Sequence, residues 1–144
     1  LYAGNQSGRT VAYDLESGER IWTATEGALG PVVSVGGSIF LISDENRLTR
    51  LDSRDGSTIW SVQLSDFKRD TARKRGPSYA NYGPILAGGR IVVASTDGQV
   101  HFFDPKDGRA VSSLSVPEGA ASAPVVAGQT LYVVSTKGTL YAFR

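Results

Sequence analysis

IVVASTDGQVHFFD, residues 91–104, decides the fold. It opens on an apolar, β-branched run from Ile91 to Ala94, turns at Asp97-Gly98 and returns through the alternating residues Gln99 to Phe103. That pattern is a two-stranded hairpin. The same fourteen-residue unit occurs three more times without a gap, as LYAGNQSGRTVAYD (residues 1–14), IFLISDENRLTRLD (39–52) and LYVVSTKGTLYAFR (131–144). Its eighth residue is Gly8, Asn46, Gly98 or Gly138. Gly and Asn are the residue types that tolerate positive φ, so the turn chemistry agrees at all four places. A fixed unit recurring along a chain is the signature of a repeat architecture.

Working outward, a second element stands ahead of three of the hairpins: GPVVSVGG (30–37), GPILAGGR (83–90) and APVVAGQT (123–130). Pro31, Pro84 and Pro124 cannot donate to a ladder and are expected at the first residue of a strand, with a tight turn after it. A third element follows three hairpins: LESGERIW ending at Trp22, SRDGSTIW ending at Trp60 and PKDGRAVS ending at Ser112. Gly18, Gly56 and Gly108 let the chain turn back, Asp14, Asp52 and Asp104 hydrogen-bond the turn backbone, and a further strand follows. The unit is therefore four short antiparallel strands, with Gly18 and Gly56 38 residues apart and Gly56 and Gly108 52 residues apart.

A four-stranded repeat of about 40 residues is the size of a propeller blade. The expected fold is an all-β propeller, a partial ring of about four blades taken as half of an eight-bladed one, with blade parts at approximately 1–26, 30–65, 83–117 and 122–144. The apolar runs Ile39–Ile42 and Ile91–Ala94 are nearly continuous, as expected of strands covered on both faces. The first blade begins partway through and the last stops after its third strand, so the chain reads as a segment of a longer one. Open ends leave apolar faces and unpaired edges, so the ring is expected to be completed by the rest of the parent chain or by a second copy.

The composition narrows the function. Over 144 residues, 15 basic and 14 acidic side chains leave a net charge of +1, which lacks the positive field nucleic-acid binding needs. There is no cysteine, and His101 is the sole histidine, so neither a disulfide framework nor a multi-histidine or cysteine metal site is available. No metal and no cofactor are expected. His101 reads as an ordinary strand residue. Asp14, Asp52, Asp55, Asp104 and Asp107 all fall in the Asp-to-Gly loops, where turn capping accounts for them, and no catalytic residue is assigned. No apolar run approaches the ~20 residues of a membrane span. The feature outside the repeat is the insertion 66–82, with Lys68, Arg69, Arg73, Lys74 and Arg75 followed by Tyr79 and Tyr82. It is either a solvated loop or a docking loop at one rim, its tyrosines anchoring a partner beside the cations.

The segment AYDLESGERIW (12–22) fits an Ala-x-Asp-x-x-x-Gly-x-x-x-Trp pattern at Ala12, Asp14, Gly18 and Trp22. Residues 50–60 fit at Asp52, Gly56 and Trp60 with Arg50 in place of Ala, while the third copy keeps Asp104 and Gly108 but has Phe102 and Ser112 at its ends. In this pattern the chain resembles the pyrroloquinoline-quinone-like propeller repeat family, and within it the C-terminal half of the barrel-assembly lipoproteins of the bacterial outer membrane. The resemblance implies that Trp22 and Trp60 staple neighbouring blades. It also implies a non-catalytic periplasmic scaffold that binds the barrel insertase and is held at the outer membrane only by an N-terminal lipid anchor outside these residues. The same blades build quinone-dependent dehydrogenases and ligand-binding sensor domains, so these stand as the alternatives. A dehydrogenase would need a calcium-bound quinone, an Asp base and an adjacent-cysteine disulfide.

Overall fold

The computed structural model describes residues 1–65, 70–71, 74–75 and 78–144. Four antiparallel sheets follow one another along the chain. The first has three strands in the order β1 (Tyr2–Asn5), β2 (Arg9–Tyr13), β3 (Arg20–Ala24). The second and third have four strands each: β4 (Val33–Val35), β5 (Ser38–Ile42), β6 (Arg47–Asp52), β7 (Thr58–Gln63), then β10 (Asn81–Ala87), β11 (Arg90–Ser95), β12 (Gln99–Phe103), β13 (Ala110–Ser115). The fourth holds β14 (Val125–Ala127), β15 (Thr130–Val134) and β16 (Leu140–Phe143). Strands adjacent in sequence are adjacent in each sheet, so each blade is a plain meander.

Local chemistry sets each turn. Asn5 Oδ1 accepts the Ser7 and Arg9 amides between β1 and β2, and Ser135 Oγ accepts the Thr139 amide between β15 and β16. In the Asp-to-Gly turns the Gly18, Gly56 and Gly108 amides donate to the carbonyls of Asp14, Asp52 and Asp104 at 3.1, 2.9 and 2.9 Å. A register shift then falls at the same point of each ladder, at Ala12/Tyr13, Arg50/Leu51 and Phe102/Phe103. The repeat in sequence is thus a repeat in backbone geometry.

Strand alternation distributes side chains to two neighbours at once. All five residues of β5 are buried. Ile39 and Leu41 pack with Ala12, Trp22 and Leu51 toward the first sheet, whereas Phe40 and Ile42 pack with Leu48, Ile91 and Val93 toward the third. β11 repeats the arrangement, giving Val92 and Ala94 to a third cluster with Val100, Leu131 and Val133. Each fully buried aliphatic side chain contributes roughly 1.5–3 kcal/mol. Three cores between four sheets hold the stack together.

Two expectations need correction. Pro84 lies inside β10, not at its start: Asn81 and Tyr82 already pair with Ser95 and Ala94, and the ladder shifts register between Tyr82 and Ile85 to accommodate the proline. The third blade consequently begins at Asn81, and the last two residues assigned to the insertion belong to it. Pro31 stands two residues ahead of β4 and Pro124 directly ahead of β14. Within the insertion, β8 (Asp70–Thr71) and β9 (Lys74–Arg75) form a small antiparallel pair in place of the plain loop read from the sequence.

Candidate functional site

The repeated motif meets itself at the seams between sheets. Trp22 is 8% exposed, donates its indole N–H to Ser53 O at 3.0 Å in the next blade's turn, and stacks on Tyr2 with centroids 5.8 Å apart. Its ring lies against Gly56, where an added Cβ would sit 2.6–2.9 Å from three ring atoms. Trp60 repeats this one blade on: its indole donates to Pro105 O at 3.2 Å, and a Cβ on Gly108 would lie 2.7–3.0 Å from its ring. Each tryptophan therefore needs a side-chain-free residue in the blade that follows it. Gly18 has no atom within 4 Å of such a Cβ.

Ala12 faces Trp22 directly across β2 and β3, and Phe102 faces Ser112 across β12 and β13. Small opposite large becomes large opposite small, so the departure of the third copy from the motif is a compensated exchange at one cross-strand pair. Arg50 stands opposite Trp60. It spans the seam, with Nη1 donating to Pro105 O and Lys106 O, both at 3.2 Å.

The five loop aspartates are occupied by backbone. Asp14, Asp52 and Asp104 accept the amides of Glu16, Arg54 and Lys106, while Asp55 and Asp107 accept those of Ser57 and Arg109. Hydrogen bonds from the Arg54 side chain and then its amide hold Asp52 down at about 2, and the Ser17 and Glu16 amides lower Asp14. The hydroxyl and amide of Ser57 lower Asp55. Depressed carboxylates stabilise the fold fully above their ordinary value of 3.8, and that stabilisation disappears as pH falls toward 2. Tm is accordingly expected to drop between about pH 4 and pH 2, with a flatter profile in Asp52→Asn. Superimposable profiles for the two proteins would contradict the assignment to Asp52.

His101 Nε2 lies 2.8 Å from Asp97 Oδ2, within one hairpin. Among the described residues no group of three or more His, Cys, Asp or Glu side chains is placed to hold a metal ion. The five loop aspartates are each committed to a turn amide. No helix of the described residues is long and apolar enough to cross a membrane.

Of the basic insertion, Lys68, Arg69 and Arg73 lie outside the described residues, and Lys74 and Arg75 form β9. Tyr79 is half-buried and lines a cavity of about 440 Å³ with Asp44, Glu45, Asn46 and Asn81. Tyr82, read from the sequence as a rim anchor, is instead a strand residue packed against the core between the third and fourth sheets. Its proximity to the cations in sequence concealed its place in the alternation of β10. Arg50 was legible only as a mismatch to the motif, and its reach across the seam emerges from the fold.

Consecutive three- and four-stranded meanders stacked through shared cores, the first two seams fastened by a tryptophan, define a segment of β-propeller. The same architecture occurs in the β-propeller domain of Myceliophteria thermophila Cps50 (Swd1), with a TM-score of 0.70 at 15% identity over 99% of this chain and 49% of that one. The chain belongs to the family described as outer membrane protein assembly factor BamB, whose model matches residues 1–62 and 64–144. The Yersinia pestis protein of that name is 33% identical over 99% of this chain and 34% of its own length. BamB from Moraxella catarrhalis shares the fold at a TM-score of 0.76 and 22% identity, over 99% of this chain and 42% of that one. The chain thus spans about a third of the length of the curated relatives it matches.

Proposed function

We propose that the chain forms part of a non-catalytic, protein-binding scaffold that assists assembly of β-barrel proteins into the bacterial outer membrane. The observation that carries this reading is the family match, which runs through all four sheets without favouring the repeat over the segments between. The arrangement of the site agrees with it. Motif aspartates cap turns and motif tryptophans lock seams, so the repeated polar residues build a rigid surface and perform no chemistry. The scaffold would work on the periplasmic side of the outer membrane, tethered by an N-terminal lipid, with the barrel insertase as its partner. Its ring would be completed by the remainder of the parent chain.

The insertion is the proposed docking element, on the ground of its five cations within Lys68 to Arg75. The intact protein is expected to bind the periplasmic region of its own organism's insertase. A variant with Lys68, Arg69, Arg73, Lys74 and Arg75 all replaced by Gln is expected to bind at least about tenfold more weakly, with the loss shrinking as salt is raised. Surface plasmon resonance at several ionic strengths makes the measurement. No binding by the intact protein at high micromolar concentration would overturn the function, while undiminished binding by the variant would move the contact elsewhere.

A further inference from the structure

At one rim, the seam between the second and third sheets opens into a cavity of about 380 Å³ whose lining includes Val35, Phe40, Leu86, Arg50 and Lys106. Val35 and Leu86 are 41% and 40% exposed, so two of the apolar walls are open to solvent. Arg50 replaces the alanine of the first motif copy and is fixed from three sides. Its Nε donates to Ser38 Oγ at 3.0 Å, its Nη1 reaches the two carbonyls beyond the seam, and its Cζ lies 5.9 Å from the centre of the Phe40 ring. All of these partners are neutral. Among the described residues the ion pairs are Arg54–Asp52, Arg90–Asp104 and His101–Asp97, and none involves Arg50. Its hydrogen bonds are made by Nε and Nη1, which leaves Nη2 for a further acceptor.

A guanidinium positioned by dipoles, engaged in no ion pair and set among largely apolar walls is a prepared anion site, with the Asp52 carboxylate near enough to feel its charge without pairing with it. We propose that this cavity binds a small apolar monocarboxylate, its head on Arg50 Nη2 and its hydrocarbon part against Val35, Phe40 and Leu86. The free guanidinium nitrogen matches a singly charged head, and with Lys106 the only other cation in a largely apolar lining, a phosphate dianion would leave acceptors unmet. The cavity's size suits one large side chain or a short acyl chain and not a full lipid tail. The carboxylate can therefore come from the apolar carboxy-terminal residue of a protein chain or from a short fatty acid.

The Trp60 indole N–H reports on the site, because it is bonded to Pro105 O and its ring packs on Phe40, both of which line the cavity. Its NMR resonance would be followed in the intact protein during titration with octanoate, methyl octanoate, N-acetyl-phenylalanine and N-acetyl-phenylalanine amide. The two carboxylates are expected to shift it saturably, and their neutral counterparts to bind about tenfold or more weakly. Tighter binding of octanoate would assign the acyl source, and of N-acetyl-phenylalanine the chain terminus. Arg50→Ala, which installs the residue found at Ala12, is expected to abolish the preference for the charged ligand. Leu86→Glu, at an exposed position, is expected to weaken all four ligands through the lost apolar wall and the carboxylates by a further similar factor. Equal binding of acid and neutral analogue, an unchanged preference in Arg50→Ala, or no saturable shift up to about 10 mM ligand would overturn the proposal.

Discussion

Gly108→Val is expected to lower the stability of the intact protein by about 2–5 kcal/mol, out of proportion to a change at one turn residue. Two costs combine. Gly108 has φ of 75°, a conformation that costs a side-chain-bearing residue roughly 1–2 kcal/mol. The added carbons also enter the space of the Trp60 ring, 2.7 Å from its nearest atom, and overpacking of that kind costs about 1–3 kcal/mol. The two are separable by urea unfolding. In a Trp60→Leu background the steric part is expected to vanish while the backbone part remains, so the double variant should be more stable than the sum of the single changes predicts. Strict additivity would show that the ring and the glycine do not share the contact described.

Trp22→Ala is expected to cost about 3–5 kcal/mol, the range for removing a large buried aromatic residue. Trp22 is the more enclosed of the two seam tryptophans: it is buried among Ala12, Ala24, Ile39 and Leu51, whereas Trp60 is half-buried. Its removal also withdraws the donor that meets Ser53 O. Trp60→Ala should accordingly cost less, because its ring is partly solvated in the native state. Chemical denaturation of both variants decides the order. A loss for Trp22→Ala no greater than for Trp60→Ala would contradict the ranking by enclosure.

The hairpins and the Asp-to-Gly turns were legible in the sequence because both are local. Asn46 could be grouped with Gly8, Gly98 and Gly138 from residue type alone, and its φ of 58° follows from that chemistry. The double-sided burial of Ile39 to Ile42 was legible too, since no alternation means no solvent face. What could not be read were relations between blades. Nothing in ESGERIW says that Trp22 finds Gly56 rather than its own Gly18. Arg50 appeared as a defect in a motif, and only the neighbouring turn at Pro105 and Lys106 gives it a purpose. Pro84 misled for a physical reason: a proline normally opens or borders a strand, but a register shift allows it inside one. Tyr82 was thereby displaced from the core into a loop.

The empty space at Gly18 gives the chain a direction. Both seams keyed by a tryptophan join unlike surfaces, an indole on the earlier blade and a bare glycine on the later one, so the motif runs head-to-tail and its two ends are not equivalent. Two like ends cannot mate by this device. Whatever abuts the first sheet through the same key must present an aromatic side chain to Gly18, a polarity that admits ring closure or addition in one sense along the chain and rejects the reverse.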